Sequence, residues 1–188
     1  MNVTETNMEK ISIHDSLVGN DLLHSIYNVL RDGAFSPSQL SYVNGPEYRS
    51  MIMNLRDVDS PALNELKQIA YNITPEADLY YLDRLYANAT TMSDVPYPHS
   101  DSDFKDDLTI LYYANPYWDI TYGGETVFLS DTRDEIIKSV IPKAGRLVVF
   151  NSAIPHCPRV HNRIGPNHRF TIAFKLVRRS RYGSNKYL

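Results

Sequence analysis

The sequence is poor in the features that would place it in a special class. It has one cysteine, Cys157, so no internal disulfide can form and the chain suits a reducing compartment. No apolar run approaches 18 residues, and the stretch Met1–Ile13 mixes Asn, Thr, Glu and Lys without an apolar centre; neither a membrane span nor an export signal is expected, and the cytoplasm is the expected location. Charge of one sign is also scarce. A formal net charge of −3 gives no general electrostatic footprint for nucleic acid or for an anionic membrane. No internal repeat or low-complexity tract divides the 188 residues, which at 43% hydrophobic and 22% charged have the length and composition of a single domain over 1–188.

What is present reads as two helices followed by many strands. Asn20-Asp21 precedes Leu22, Leu23, Ile26, Val29 and Leu30 at helical spacing, with Gly33 just beyond. A second helix is predicted from Pro61, with Ser60 as its N-cap, to about Tyr71 or Asn72. Between them, Ala34–Leu55 contains Ser36-Pro37 and Asn44-Gly45 and reads as loops and short strands, a substrate-facing loop region with Tyr42, Tyr48 and Arg49. Strands are expected at Leu79–Leu85, Leu108–Tyr113, Glu125–Leu129, Ile136–Ile141, Arg146–Phe150 and Arg169–Leu176. Helical support over about 15–75 and a β core over about 78–177 predict a mostly β (α+β) sandwich with helices on one outer face.

The last strand carries the first functional signal. Phe170, Ile172 and Phe174 alternate with Arg169, Thr171 and Ala173, so the first set faces the helices and the second faces the hollow between the sheets. An arginine there costs several kcal/mol unless an anion matches it. Its strand is expected to pair antiparallel with the preceding one, Arg146–Phe150.

His99-Ser100-Asp101 sets an imidazole and a carboxylate on one side of an extended segment, where both can reach one metal ion. Alone, the tripeptide is a common accident, and Asp101, Asp103, Asp106 and Asp107 also read as an acidic loop. A third donor is available in His156, beyond the buried strand ending at Phe150. Two histidines and a carboxylate leave coordination positions open, the arrangement suited to non-haem Fe(II) that must take a chelating cosubstrate and dioxygen.

These residues, together with Tyr86, Gly123-Gly124-Glu125-Thr126-Val127-Phe128, Pro142–Phe150 and Arg169-Phe170-Thr171, give a sequence that resembles the Fe(II)/2-oxoglutarate-dependent dioxygenases, in their prolyl 4-hydroxylase-like branch. The resemblance covers about Leu79 to Leu176. It implies a double-stranded β-helix, or jelly roll, with Fe(II) held by His99, Asp101 and His156. It further implies that Arg169 binds the distal carboxylate of 2-oxoglutarate, with Thr171 and Tyr86 as hydrogen-bonding helpers. Dioxygen would be consumed, succinate and CO2 released, and ascorbate would serve as reductant. Many members of the branch use lysine where this chain has Arg169, whose planar fork stays charged in a dry site. The segment between His156 and Arg169 is longer than usual and holds His161, the alternative third ligand; His156 alone falls six residues after Phe150, as in the family pattern.

Blander roles suit the remaining candidates. His14 and His24 lie in the N-terminal layer and read as surface or packing residues. Cys157 would face away from the metal as a small buried thiol. After Phe174, the basic residues Lys175, Arg178, Arg179, Arg181 and Lys186 read as a solvated C-terminus. Two competing functions remain: a metal- or small-acid-binding jelly roll without turnover, and an interaction domain whose His/Asp set is accidental. Bound metal separates the second from the rest, and consumption of 2-oxoglutarate separates the first. The substrate class stays open among a proline-containing peptide, a free amino acid and a small polar metabolite. Oligomeric state is not readable.

Overall fold

The computed structural model describes residues 10–40, 48–94 and 97–182. Among the described residues ten strands form two sheets. The larger has seven strands in the order β1-β8-β5-β10-β4-β3-β2: β1 Ile11–His14, β2 Ser36–Leu40, β3 Tyr48–Asn54, β4 Tyr80–Thr90, β5 Leu108–Tyr113, β8 Leu147–Asn151 and β10 Arg169–Arg178. The smaller has three in the order β7-β6-β9: β6 Thr126–Leu129, β7 Ile136–Val140 and β9 His156–Pro158. All the pairings are antiparallel. The two facing sheets make the expected jelly roll.

Helices α1 (Asn20–Arg31) and α2 (Pro61–Ile73) cover the outer face of the large sheet. Their buried residues Leu23, Ile26, Leu30, Leu63, Leu66 and Ala70 share one core with Phe170, Ile172 and Phe174 of β10. That is the face that alternation assigned to the helices. Ser60 caps α2 by accepting the Leu63 N–H at 3.4 Å, as its position before Pro61 predicts. At α1 the cap is Gly19, and Asn20 is already helical.

Two expectations need correcting. β10 does not pair with β8: β5 lies between them, bonded to both, because the chain enters β10 from the small sheet rather than by a direct hairpin. The N-terminal part is more than helical support, since β1, β2 and β3 all join the large sheet. The region 34–55 contains short strands as expected, β2 and β3, with Tyr48 and Arg49 in β3, whereas Tyr42 lies outside the described residues. Among the described residues no helix is long and apolar enough to cross a membrane.

Candidate metal centre and cosubstrate pocket

A backbone pairing far apart in sequence builds the centre. His99 and His156 exchange two backbone hydrogen bonds, of 3.0 and 2.8 Å, as an isolated antiparallel bridge. The Asp101 N–H donates to the Ser152 carbonyl at 2.8 Å. Ser152 lies where the chain leaves β8 for β9, so the crossover between sheets delivers His156 and anchors the segment holding His99 and Asp101.

The ligand atoms of His99, Asp101 and His156 all lie within 4.8 Å of one another. His99 Nε2 is 3.5 Å from Asp101 Oδ1, and His156 Nε2 is 3.4 Å from Asp101 Oδ2. Each imidazole meets a carbonyl through its other nitrogen: His99 Nδ1 is 3.0 Å from Tyr97 O and His156 Nδ1 is 2.9 Å from Ile154 O. A carbonyl only accepts, so Nδ1 carries the proton and the Nε2 lone pair is turned to the cluster. Phe150 and Phe128 pack on the His156 ring. Burial pushes His156 down to about 4 against the pull of the Asp101 carboxylate, which keeps the imidazole neutral and able to donate its lone pair. Burial by itself would raise the Asp101 carboxyl, but Lys175 and the two imidazoles hold it well below the usual carboxylate range. Two neutral imidazoles and an ionised carboxylate are a donor set that fits a divalent transition ion.

One oxygen of Asp101 is further occupied by the protein. Thr109 Oγ1 donates to Oδ2 at 2.7 Å, and the Lys175 ammonium makes an ion pair with the same oxygen. Lys175 is therefore not part of a solvated C-terminus: it is 6% exposed. It continues the inward parity of Arg169, Thr171 and Ala173 along β10, a signal already present in the sequence pattern.

A cavity of about 370 Å³ between the sheets is lined by His99, His156, Tyr86, Arg169, Thr171 and Lys175 among others. Arg169 is 2% exposed. Its Nη2 donates to Thr126 Oγ1 at 3.0 Å, and its guanidinium carbon lies 5.2 Å from the Tyr113 ring centre. The Tyr113 hydroxyl donates to the same Thr126 oxygen at 2.8 Å, so a hydroxyl and a ring face orient the guanidinium. Gly124 makes room for it: with φ at +75°, a Cβ there would stand 3.0 Å from the Trp118 ring and 3.3 Å from Arg169 Cδ. Thr171 lies opposite Asn88 in the β10–β4 register, and Tyr86 lies two residues before Asn88 on β4, with its ring centre 5.8 Å from Lys175 Nζ.

Other candidates fall elsewhere. His161 is buried against Trp118, its Nε2 3.1 Å from the Pro166 carbonyl, outside the cluster that contains His156. Cys157 points to Val127 and Leu129 in a separate apolar group, and burial raises its thiol. Asp107 is not a member of a solvated acidic loop: it is buried and accepts from the Ser102 hydroxyl and the Arg178 N–H. Thr109, Thr126 and Lys175 are the contributors that residue-by-residue reading of the sequence missed.

Residues 88–176 match the 2OG-Fe(II) oxygenase superfamily. No curated protein sequence matches the chain. Among solved structures, similar folds include a prolyl hydroxylase from Trichoplax adhaerens in complex with a hypoxia inducible factor oxygen degradation domain peptide fragment. It is 19% identical with a TM-score of 0.72, over 98% of this chain and 90% of that one. A prolyl-4-hydroxylase from Pseudomonas putida is 18% identical with a TM-score of 0.64, over 95% and 100%. HygX from Streptomyces hygroscopicus, solved with nickel, 2-oxoglutarate and hygromycin B bound, is 14% identical with a TM-score of 0.63, over 90% and 83%.

Proposed function

We propose that this 2-oxoglutarate-dependent iron dioxygenase, of the prolyl 4-hydroxylase-like kind, hydroxylates an unactivated C–H of a proline-containing peptide, a free amino acid or a small polar metabolite. Fe(II) and 2-oxoglutarate are its cofactors, as the superfamily match and the His-Asp-His cluster give. The assignment of individual residues is our own. His99, Asp101 and His156 hold the ion through Nε2, a carboxylate oxygen and Nε2. Arg169 binds the far carboxylate of 2-oxoglutarate, with Thr171 and Tyr86 as hydrogen-bonding helpers. Bound iron supplies the oxidative chemistry, in which dioxygen and 2-oxoglutarate become succinate, CO2 and the transferred hydroxyl. The chain supplies what surrounds it: neutral imidazoles fixed by carbonyls, a carboxylate held by Thr109 and Lys175, and a cavity between the two sheets.

The observation that carries this reading is the convergence of His99, Asp101 and His156 on one wall of the cavity that Arg169 and Thr171 also line. The protein acts, on this view, as one domain of the cytoplasm, where its single buried thiol stays reduced. The test is direct. Purified without oxygen and given Fe(II), 2-oxoglutarate and then air, the chain should release succinate. Arg169→Ala should weaken 2-oxoglutarate binding and spare iron, whereas Asp101→Ala should weaken iron. An absence of 2-oxoglutarate binding by the iron-loaded protein, or the reverse order of effects in the two variants, overturns the assignment.

A further inference from the structure

We propose that Lys175, backed by Arg84 and Arg56, is the substrate-recognition site of this enzyme, and that it binds the free carboxylate of a small acid, a free amino acid or a simple organic acid, hydroxylated close to that group. The inference rests on the dioxygenase reading above and narrows its substrate class.

Three observations lead to it. The first is position. Lys175 stands six residues along β10 from Arg169, about 20 Å at strand rise, on the same inward face. The two cations thus serve opposite ends of the cavity, and Lys175 touches the metal cluster itself through Asp101. The second is the row that Lys175 belongs to. Across the large sheet it is in register with Thr109 of β5 on one side and Arg84 of β4 on the other. Arg56, which follows β3, donates from Nη1 to the Asp83 carbonyl at 2.8 Å, and Arg56, Arg84 and Lys175 all line the cavity. The register shifts beside this row, Lys175 facing Arg84 while Leu176 faces Leu82, so that Asp83 is the extra residue of a bulge, a feature that re-aims side chains at the rim of a sheet. Asp83 faces Arg84 at 3.3 Å and Asp101 is paired with Lys175, so two carboxylates stand against three cations.

The third is charge. In the chain alone, the Lys175 ammonium is matched by the Asp101 carboxylate. In the loaded site a divalent ion and dianionic 2-oxoglutarate would cancel, leaving one carboxylate, Asp101, for two buried cations, Arg169 and Lys175. The buried site as a whole then keeps one net positive charge, on the side of Lys175, which stays paired with Asp101 and is only 6% exposed. A buried cation in surplus is costly, and a substrate anion removes that cost. The depth of Lys175 decides which anion. Next to the metal cluster, the group it meets belongs to the reacting unit itself, not to a distant part of a long ligand. Inside a peptide that unit has lost its carboxylate to an amide, whereas a free amino acid or organic acid keeps it. A cavity of about 370 Å³ suits a ligand of that size beside the cosubstrate.

The experiment is an anaerobic titration of the protein loaded with Fe(II) and saturating 2-oxoglutarate. The probes are the common amino acids and short aliphatic monocarboxylic acids, each also as its neutral amide or methyl ester, and proline-containing peptides with blocked ends. Free acids should bind about tenfold or more tightly than their neutral counterparts, the scale of one charge-assisted contact. Lys175→Met, titrated at iron and 2-oxoglutarate concentrations that saturate the variant, should bring that ratio near one, and Lys175→Arg should keep it. Equal binding of acids and esters by the wild type, binding of the blocked peptides alone, or binding of no free acid overturns the proposal, and none of these readouts depends on how the variants fold. Failure of iron or 2-oxoglutarate to bind in the first place would instead remove the dioxygenase reading, so the two failures are told apart.

Discussion

The two faces of β10 are built from neighbouring residues and serve opposite purposes. Phe170, Ile172 and Phe174 point outward into the core with α1 and α2, where burial of apolar surface stabilises the fold. Arg169, Thr171, Ala173 and Lys175 point inward to the cavity, where Lys175 is matched by Asp101 and burial of the Arg169 guanidinium costs stability. One strand therefore divides the work of folding and of binding with the period of the pleat, and substitutions one residue apart should have unlike consequences.

The largest effect is expected on the outer face. Phe174→Ala should cost about 4 kcal/mol of folding stability, since removing a buried aromatic leaves a cavity that its cross-strand neighbours Leu85 and Ile110 fill poorly. Urea denaturation measures it. The iron affinity of the protein that remains folded should be unchanged; a loss below about 1 kcal/mol would mean that the helix layer is not the main stabilising contact. On the inner face the pattern reverses. Arg169→Ala should weaken 2-oxoglutarate binding by about 2 to 3 kcal/mol, on the order of fiftyfold, which calorimetric titration of the iron-loaded protein would measure. Its folding stability should hold or rise, because the variant no longer buries a guanidinium. If Arg169→Ala unfolds the protein as Phe174→Ala does, the division between the faces is wrong.

Much of this division was legible in the sequence, because a strand repeats every two residues and the Arg-Phe-Thr-Ile-Ala-Phe alternation states both faces at once. Legible too was α2, whose Ser60-Pro61 start is a local signal needing no distant partner. The seating of the metal cluster was legible only through resemblance. What brings His99 beside His156 is a backbone bridge across 57 positions of chain, and nothing local announces it. Lys175 was misread for a different reason. Grouped with Arg178, Arg179 and Arg181 it looks like a basic tail, but its parity on β10 belongs with Arg169, and parity outweighs composition where a strand continues. β1 escaped notice because four residues at the edge of a sheet carry too short a pattern to stand out, and their pairing with β8 depends on tertiary contact.

That edge gives the smallest and sharpest test, since it lies on neither face. Just past β1, Asp15 accepts from Arg146 Nε and Nη2, both at 2.9 Å, and from Lys143 Nζ at 3.0 Å, tying the first strand to the turn before β8. The hydrogen bonds from Arg146 are the main reason its carboxyl is lowered to about 2, against the opposing effect of burial. A carboxyl whose folded value lies below its ordinary 3.8 stabilises the fold above that ordinary value and loses the contribution as pH falls toward 2. The Asp15 side chain is 30% exposed, so solvent screening reduces the contribution to about 1 kcal/mol. Asp15→Asn should therefore be less stable than the wild type by that amount at neutral pH, with the gap closing between about pH 4 and pH 2 in denaturation curves. Affinity for iron and for 2-oxoglutarate should not move. A gap that persists unchanged at pH 2 would mean that Asp15 acts through packing rather than charge, and a change in 2-oxoglutarate affinity would mean that the edge of the large sheet and its cavity are coupled.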